Sequence, residues 1–245
     1  MRTTYDTLLA IFIIIFAYPE CAISQQSNHN SDISGVRISE RLPIQSDTGI
    51  IHYSNGTVDI YTLATIKLYK MSYKFDSVGP NNKLVQETRF RIFVCDTVTN
   101  LGYEFNPQNL SSKKQISRKD ALKNQWFVIT DLYPIFLNFK VRVVKSKRDK
   151  NGLYEVYEFR HKKDNALIET WKVNYSDKLK TVNETLCRQL DSTKKTKAYR
   201  IDVQSYDYYF KEYRFKMNAG KTLYTLEKIT EISTEIRRYF DEFKQ

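Results

Sequence analysis

Apolar residues fall along this chain in three rhythms, and each rhythm predicts a different kind of element. The first is an unbroken run from Leu8 to Tyr18, preceded by Arg2 and ended by Pro19 and Glu20. A charge, a core of about 7–15 apolar residues and then the small-x-small triplet Ala22-Ile23-Ser24 is the order of a cleavable secretory signal. The run is far shorter than the about 20 residues a membrane-crossing helix needs. Residues 1–24 are therefore expected to leave as a signal peptide, with Gln25 becoming the first residue. The C-terminus, Asp241-Glu242-Phe243-Lys244-Gln245, carries neither a lipid-anchor tail nor a retention signal. The mature protein is expected to be soluble and secreted, without stable membrane insertion.

The second rhythm is alternation. Ile66 and Leu68 alternate with Lys67, and Met71, Tyr73 and Phe75 alternate with Ser72 and Lys74, with a slip of phase near Tyr69-Lys70. One bulged strand, or two strands in sequence, over Val58 to Phe75 would accommodate that slip. Gly79-Pro80-Asn81-Asn82 predicts a turn, and Phe90, Ile92 and Val94 a strand that delivers Cys95 at its end. A sheet-like block begins at Trp126–Ile129. Phe139, Val141 and Val143 then share one face against Lys140 and Arg142, and a polar loop follows over Ser146 to Gly152. Leu153 to Arg160 and Ala166 to Val173, joined by the turn Lys162–Asn165, complete an antiparallel meander in which Leu167, Glu169, Trp171 and Val173 share a face. Tyr199, Ile201 and Val203 resume the strand period. Tyr209–Met217 and Thr222–Leu226 would pair as a hairpin around Asn218-Ala219-Gly220.

The third rhythm steps by three or four. Leu179, Val182, Leu186 and Leu190 predict a mid-chain helix with Cys187 on or beside its stripe. Ile229, Ile232, Ile236, Tyr239 or Phe240, and Phe243 predict a C-terminal amphipathic helix that covers one side of the sheet. Residues 110–123 have weak periodicity and read as helical or irregular. Residues 25–50 have thin, aperiodic apolar content and read as a flexible polar leader, ordered at most from Ile44 onward. Residues 51–245 then form a single domain. Strands interrupted by helices without βαβ alternation place it in the α+β class, an antiparallel β-meander sheet with one mid-chain and one C-terminal helix.

Composition sharpens this picture. Tyr (18) and Phe (14) are abundant while Gly (7) is scarce, which favours half-buried pleated surfaces over linkers. Of three cysteines, Cys21 leaves with the signal, so Cys95 and Cys187 remain as a pair. In an oxidising compartment such a pair is expected to form a disulfide. Its loop of roughly 90 residues would contribute about 4–5 kcal/mol in the chain-entropy model. Four N-glycosylation sequons, at Asn55, Asn109, Asn174 and Asn183, agree with the secretory route. Once Arg2, Asp6 and Glu20 are removed, the 39 basic and 28 acidic residues become 38 and 26, a net charge of +12. That balance suits anionic glycans, lipid headgroups or acidic proteins, and the secretory route argues against nucleic acid.

The search for chemistry returns little. Only His29, His52 and His161 exist, and none has a Ser or Cys nucleophile motif beside it. There is no Cys-x-x-Cys and no pair of histidines four apart, so no zinc site is expected. The glycines are scattered singly, so no phosphate-cradling loop is expected either, and no cofactor is implied. Glu155 and Glu158 point to opposite faces of their strand. Basic runs remain. Lys113, Lys114, Arg118 and Lys119 form one cluster and Lys194, Lys195 and Lys197 another, and these seven are the candidate anion-binding residues. Loops 146–152 and 162–165 would emerge at opposite ends of the meander and cannot share a patch. The leading expectation is a secreted, non-enzymatic binding or interaction protein with a basic surface. The alternatives are a Tyr/Lys-rich extracellular structural protein of matrix, cuticle or eggshell type cross-linked through tyrosine, and a β-barrel carrier of a small apolar ligand.

Overall fold

A computed structural model of the chain describes residues 32–45, 51–78, 84–123, 139–150, 152–212 and 214–245. The expected signal peptide, the turn at Gly79–Asn82 and the segment Trp126–Ile129 lie outside the described residues. Two meanders supply most of the fold. The first runs through β1 (Ser34–Gln45), β2 (Ile51–Leu63), β3 (Ile66–Val78), β4 (Leu84–Asp96), β5 (Leu101–Asn106) and β6 (Asn109–Ser117). The second runs through β7 (Phe139–Asp149), β8 (Gly152–His161), β9 (Leu167–Ser176) and β10 (Lys197–Ser205). A further strand, β13 (Gly220–Ile229), lies antiparallel to both β1 and β10 and welds the meanders together. The result is one open 11-stranded antiparallel sheet in the order β6-β5-β4-β3-β2-β1-β13-β10-β9-β8-β7. The class is thus mostly β, with three helices among the described residues: α1 (Arg118–Leu122), α2 (Arg188–Lys194) and α3 (Thr234–Phe243).

Turn chemistry closes the meanders. Ala64 adopts a left-handed conformation (φ 53°) in the two-residue link between β2 and β3. The Asp96 carboxylate accepts the Val98 amide at 2.7 Å after β4, and Asp164 accepts the Ala166 amide at 3.1 Å before β9. These Asx interactions stand in for backbone bonds that a tight turn cannot make.

The sheet is covered on both faces, unequally. On the outer face α3 lays Ile236, Tyr239 and Phe240 against Tyr61, Leu68, Ile92, Val94 and Phe105. Burying three such side chains is worth about 1.5–3 kcal/mol each. The inner face carries Val36, Ile38, Val58, Ile60, Phe159, Trp171, Val173, Ile201 and Leu226, roofed by Ala121 and Leu122 of α1 and by Leu186, Cys187 and Leu190 at the start of α2. This double cover explains the slip of phase at Tyr69-Lys70. Leu68 faces α3 while Tyr69 faces the inner core, so neighbouring residues are both buried.

Residues 184–194 bridge the inner face: Lys67 of β3 donates to Glu184 at 2.6 Å, and Lys194 of α2 donates to Glu155 of β8 at 2.9 Å.

Several expectations need correction. Ser34–Gln45, assigned to the flexible leader, is β1 at the centre of the sheet. Its pattern is thin because Glu40 occupies an inner-face position and only Val36 and Ile38 are strongly apolar there. Residues 101–117 form the β5–β6 hairpin, and β6 is polar because it is an edge strand. Ser146–Asp149, expected as loop, belongs to the other edge strand, where Asp149 pairs with Gly152. The mid-chain helix begins only at Arg188, with Cys187 as its N-cap residue, while Leu179, at the end of a 3-10 turn over Asp177–Leu179, and Val182 pack on the core ahead of it. Finally, Tyr208–Phe210 (β11) pairs with Phe215–Met217 (β12) as a separate two-stranded hairpin, and neither pairs with β13.

Candidate functional site

Two groups of polar side chains interrupt the apolar inner face. Toward one end of the strands, Glu155 accepts from Ser146 (3.1 Å) and Lys194 (2.9 Å) as well as from Tyr157, whose hydroxyl also meets that of Tyr175 at 2.8 Å. Burial alone would push the Glu155 carboxyl up, but these donors together hold it below the ordinary carboxylate range. This network is closed and self-satisfied. Toward the other end, Glu169 accepts from Trp171 Nε1 at 2.8 Å and from Ser205 at 3.1 Å, and burial raises its pKa. Glu40 sits across from Tyr224 on β13, and burial pushes it up to about 7. One of its carboxylate oxygens, Oε2, is buried with no hydrogen-bond partner. Tyr224 feels both carboxylates.

Among the described residues no helix covers the outer face of β1, β13, β10 and β9, which forms a cleft of about 400 Å³. Register explains its composition. Arg41, Leu223, Asp202 and Lys172 lie in one row across these four strands, and Lys221, Gln204 and Thr170 lie in the next. Arg200 adds a fourth basic group and forms a two-pronged pair with Asp202 at 2.8 and 2.9 Å. The single acid of the cleft is thereby engaged, and Lys172 and Lys221 have no ion-pair partner among the described residues. Neighbouring strands are about 4.8 Å apart, so long basic side chains on flanking strands can converge over the middle. The volume lies in the range of small-ligand sites, about 300–1,000 Å³. Two sequons border this surface: Asn55 lies directly opposite Arg41, and Asn174 opposite Arg200.

The basic residues singled out from sequence do not gather into one patch. Lys113 reaches the Glu242 carbonyl at 3.0 Å and ties β6 to the end of α3. Arg118 donates to the Tyr69 hydroxyl at 3.0 Å. Lys194 serves the buried Glu155, and Lys197 pairs with Asp191 at 3.1 Å. Lys114, Lys119 and Lys195 are exposed. Lys195 and Lys197 do line a second cleft, of about 470 Å³, together with Lys180, Arg188 and Asp191. The outer-face cleft was missed because Lys172 and Arg200 look like solvated strand positions, Arg41 falls in the segment read as leader and Lys221 next to a turn, and only the strand order makes them neighbours.

Cys95 and Cys187 are both buried in the inner core. Each is held by packing on its own element, Cys95 on β4 and Cys187 at the start of α2. Burial pushes the Cys95 thiol up to about 11. Asn55, Asn109 and Asn183 are exposed and Asn174 is half-buried. Glu155 and Glu158 do face opposite sides, Glu158 binding Arg142 and Arg160 on the outer face. His161 Nδ1 contacts Asp164 at 3.1 Å and Tyr208 at 2.9 Å. Among the described residues no cluster of three metal-ligating side chains occurs, and no helix is long and apolar enough to cross a membrane.

No family model matches the chain, and no curated protein matches it in sequence. Among solved structures it is similar to a LolA superfamily protein from Nitrosomonas europaea, at 8% identity over 85% of this chain and 90% of that one, with a TM-score of 0.24. It is also similar to a DUF1329 family protein from Desulfovibrio piger, at 7% identity over 83% and 88%, with a TM-score of 0.19. Likeness at that level carries no argument about function.

Proposed function

We propose that this chain is a secreted binding protein that holds a ligand bearing phosphate or sulfate groups in the outer-face cleft. The cleft itself carries the reading: four basic side chains ring one hollow, and its only acid is already paired. Guanidinium and ammonium groups bind such oxyanions through charge-assisted hydrogen bonds. Calorimetric titration with inositol hexakisphosphate and with sucrose octasulfate tests it and separates the two chemistries. Reversing Lys172 and Lys221 together to Glu should weaken binding by about tenfold or more, whereas Lys119→Glu, far from the cleft, should leave it unchanged. Equal losses from both variants would reduce the effect to net charge and sink the proposal.

A second reading, a carrier of a small amphipathic ligand on the inner face, is favoured by Glu40. Its buried, unpartnered oxygen beside Tyr224 could accept from a ligand hydroxyl or ammonium. Native mass spectrometry of protein from its own secretory source should then show a bound small molecule, and its absence removes the reading. The cross-linked structural alternative draws less support. Tyr61, Tyr69, Tyr157, Tyr175, Tyr224 and Tyr239 are buried, out of reach of an oxidising enzyme.

A further inference from the structure

We infer that the β11–β12 hairpin is a docking tip for an anionic lipid bilayer. It leaves the sheet between the ends of β10 and β13, at Ser205 and Gly220. Three-residue strands make a marginal hairpin by themselves, yet this one is clamped at its base. Tyr208 bonds to His161 (2.9 Å) and to Asp164 (2.8 Å), Phe210 packs edge-on against Phe139, and Asp207 accepts the Ala219 amide at 2.9 Å. Tyr209, 51% exposed, and Phe215, 56% exposed and stacked on Phe210, project from opposite faces of the hairpin, and the exposed Lys211, Arg214 and Lys216 of the same hairpin have no ion-pair partner among the described residues. The acid of the tip, Glu212, is paired with Lys163.

This combination selects among occupants. An anionic glycan would serve the cations and could stack on one ring, but it would not take up both, because they face opposite sides of the hairpin. A second copy of the tip would bring like charges together. A bilayer of acidic lipids satisfies both sets of groups, because aromatic rings settle at the headgroup boundary and Lys and Arg are drawn to anionic headgroups. Contact of this kind is peripheral and needs no spanning element. Docking through the tip does not depend on anion binding in the cleft, although Lys221 of the cleft follows the hairpin directly.

Flotation of the full mature chain with phosphatidylcholine vesicles, with and without phosphatidylserine, is the test. Binding is expected with the acidic vesicles, falling as salt is raised. The double variant Tyr209→Ser/Phe215→Ser should lower partitioning by about tenfold or more, from the apolar area it removes. The same variant should keep the affinity of the parent for inositol hexakisphosphate, which reads the cleft alone. In Phe215→Trp, indole emission should shift to the blue on adding acidic vesicles, and this reports insertion even if the double variant folds poorly. No binding to acidic vesicles, binding that survives loss of both rings, or an unshifted indole in the bound protein would each overturn the inference. Loss of soluble-anion binding in the parent, with vesicle binding intact, would remove the cleft reading and leave this one standing.

Discussion

Replacing Glu40 by Gln is expected to stabilise the fold above pH 7 and to leave it nearly unchanged at pH 5. Glu40 lies on the inner face between Gly56 of β2 and Tyr224 of β13, and burial pushes its carboxyl from 4.5 up to about 7. The sign follows from proton counting. A carboxyl that holds its proton more tightly when folded contributes stability below its unfolded pKa, and that contribution fades as pH rises through the folded value. A tenfold change in proton affinity is worth about 1.36 kcal/mol, so the full effect would be about 3 kcal/mol. Glu40 is only partly shielded from solvent, and screening reduces this to about 1.5 kcal/mol. For a folded region of this size, that is about 3–6 °C in Tm. Thermal and urea denaturation of both proteins at pH 5, 6, 7 and 8 would show the gap opening between pH 5 and 8. A smaller slope should persist in the variant, because Glu169 is raised by burial too. A gap independent of pH, or a variant less stable at pH 8, would refute the placement of an unsatisfied carboxyl on this face.

Other changes probe other parts of the fold. Tyr239 buries its hydroxyl under α3 with no partner, so Tyr239→Phe should be neutral or gain up to about 1 kcal/mol; a clear loss in urea denaturation would contradict that environment. Lys194→Met leaves Glu155, 4% exposed at its side chain, without its cation and should cost about 3 kcal/mol. Adding Glu155→Gln should recover part of that loss, and a cost near zero would count against the network. Cys95 and Cys187, both fully buried, should resist alkylation at pH 8 in the native protein. Alkylation of the unfolded chain with and without reductant then decides the 95–187 bond: thiols that react only after reduction establish it, and thiols that react without reductant exclude it.

The sequence is most legible where one face of a strand is buried and the other wet. β8 and β9 meet that condition, with Leu153, Glu155, Tyr157 and Phe159 inward and their neighbours outward, and the meander through them reads directly from alternation. The amphipathic stripe of α3 is legible for the same reason. Legibility fails in two physical situations. Where both faces are covered, as at Leu68-Tyr69 of β3, the alternation slips because neighbouring residues are both buried. Where neither face is covered, as on the edge strands β6 and β7, polarity imitates a loop. β1 fails differently, since Glu40 removes an apolar beat from a strand at the centre of the sheet.

The outer-face cleft could not have been found by any of these signals. Its basic residues span Arg41 to Lys221, and alternation places Lys172 and Arg200 on solvent-facing strand positions without saying which strand lies next door. That information resides in β13, which returns from beyond the second meander to lie against the first strand of the chain. Without that insertion Arg41 and Lys172 would belong to separate sheets, and no concentration of positive charge would arise. The clustered lysines that do stand out in sequence behave in the opposite way: Lys113, Lys194 and Lys197 are taken up by contacts that hold the fold. In this protein, charge that is dense along the chain is largely structural, and charge that is sparse along the chain is gathered by the sheet into the surface best suited to bind.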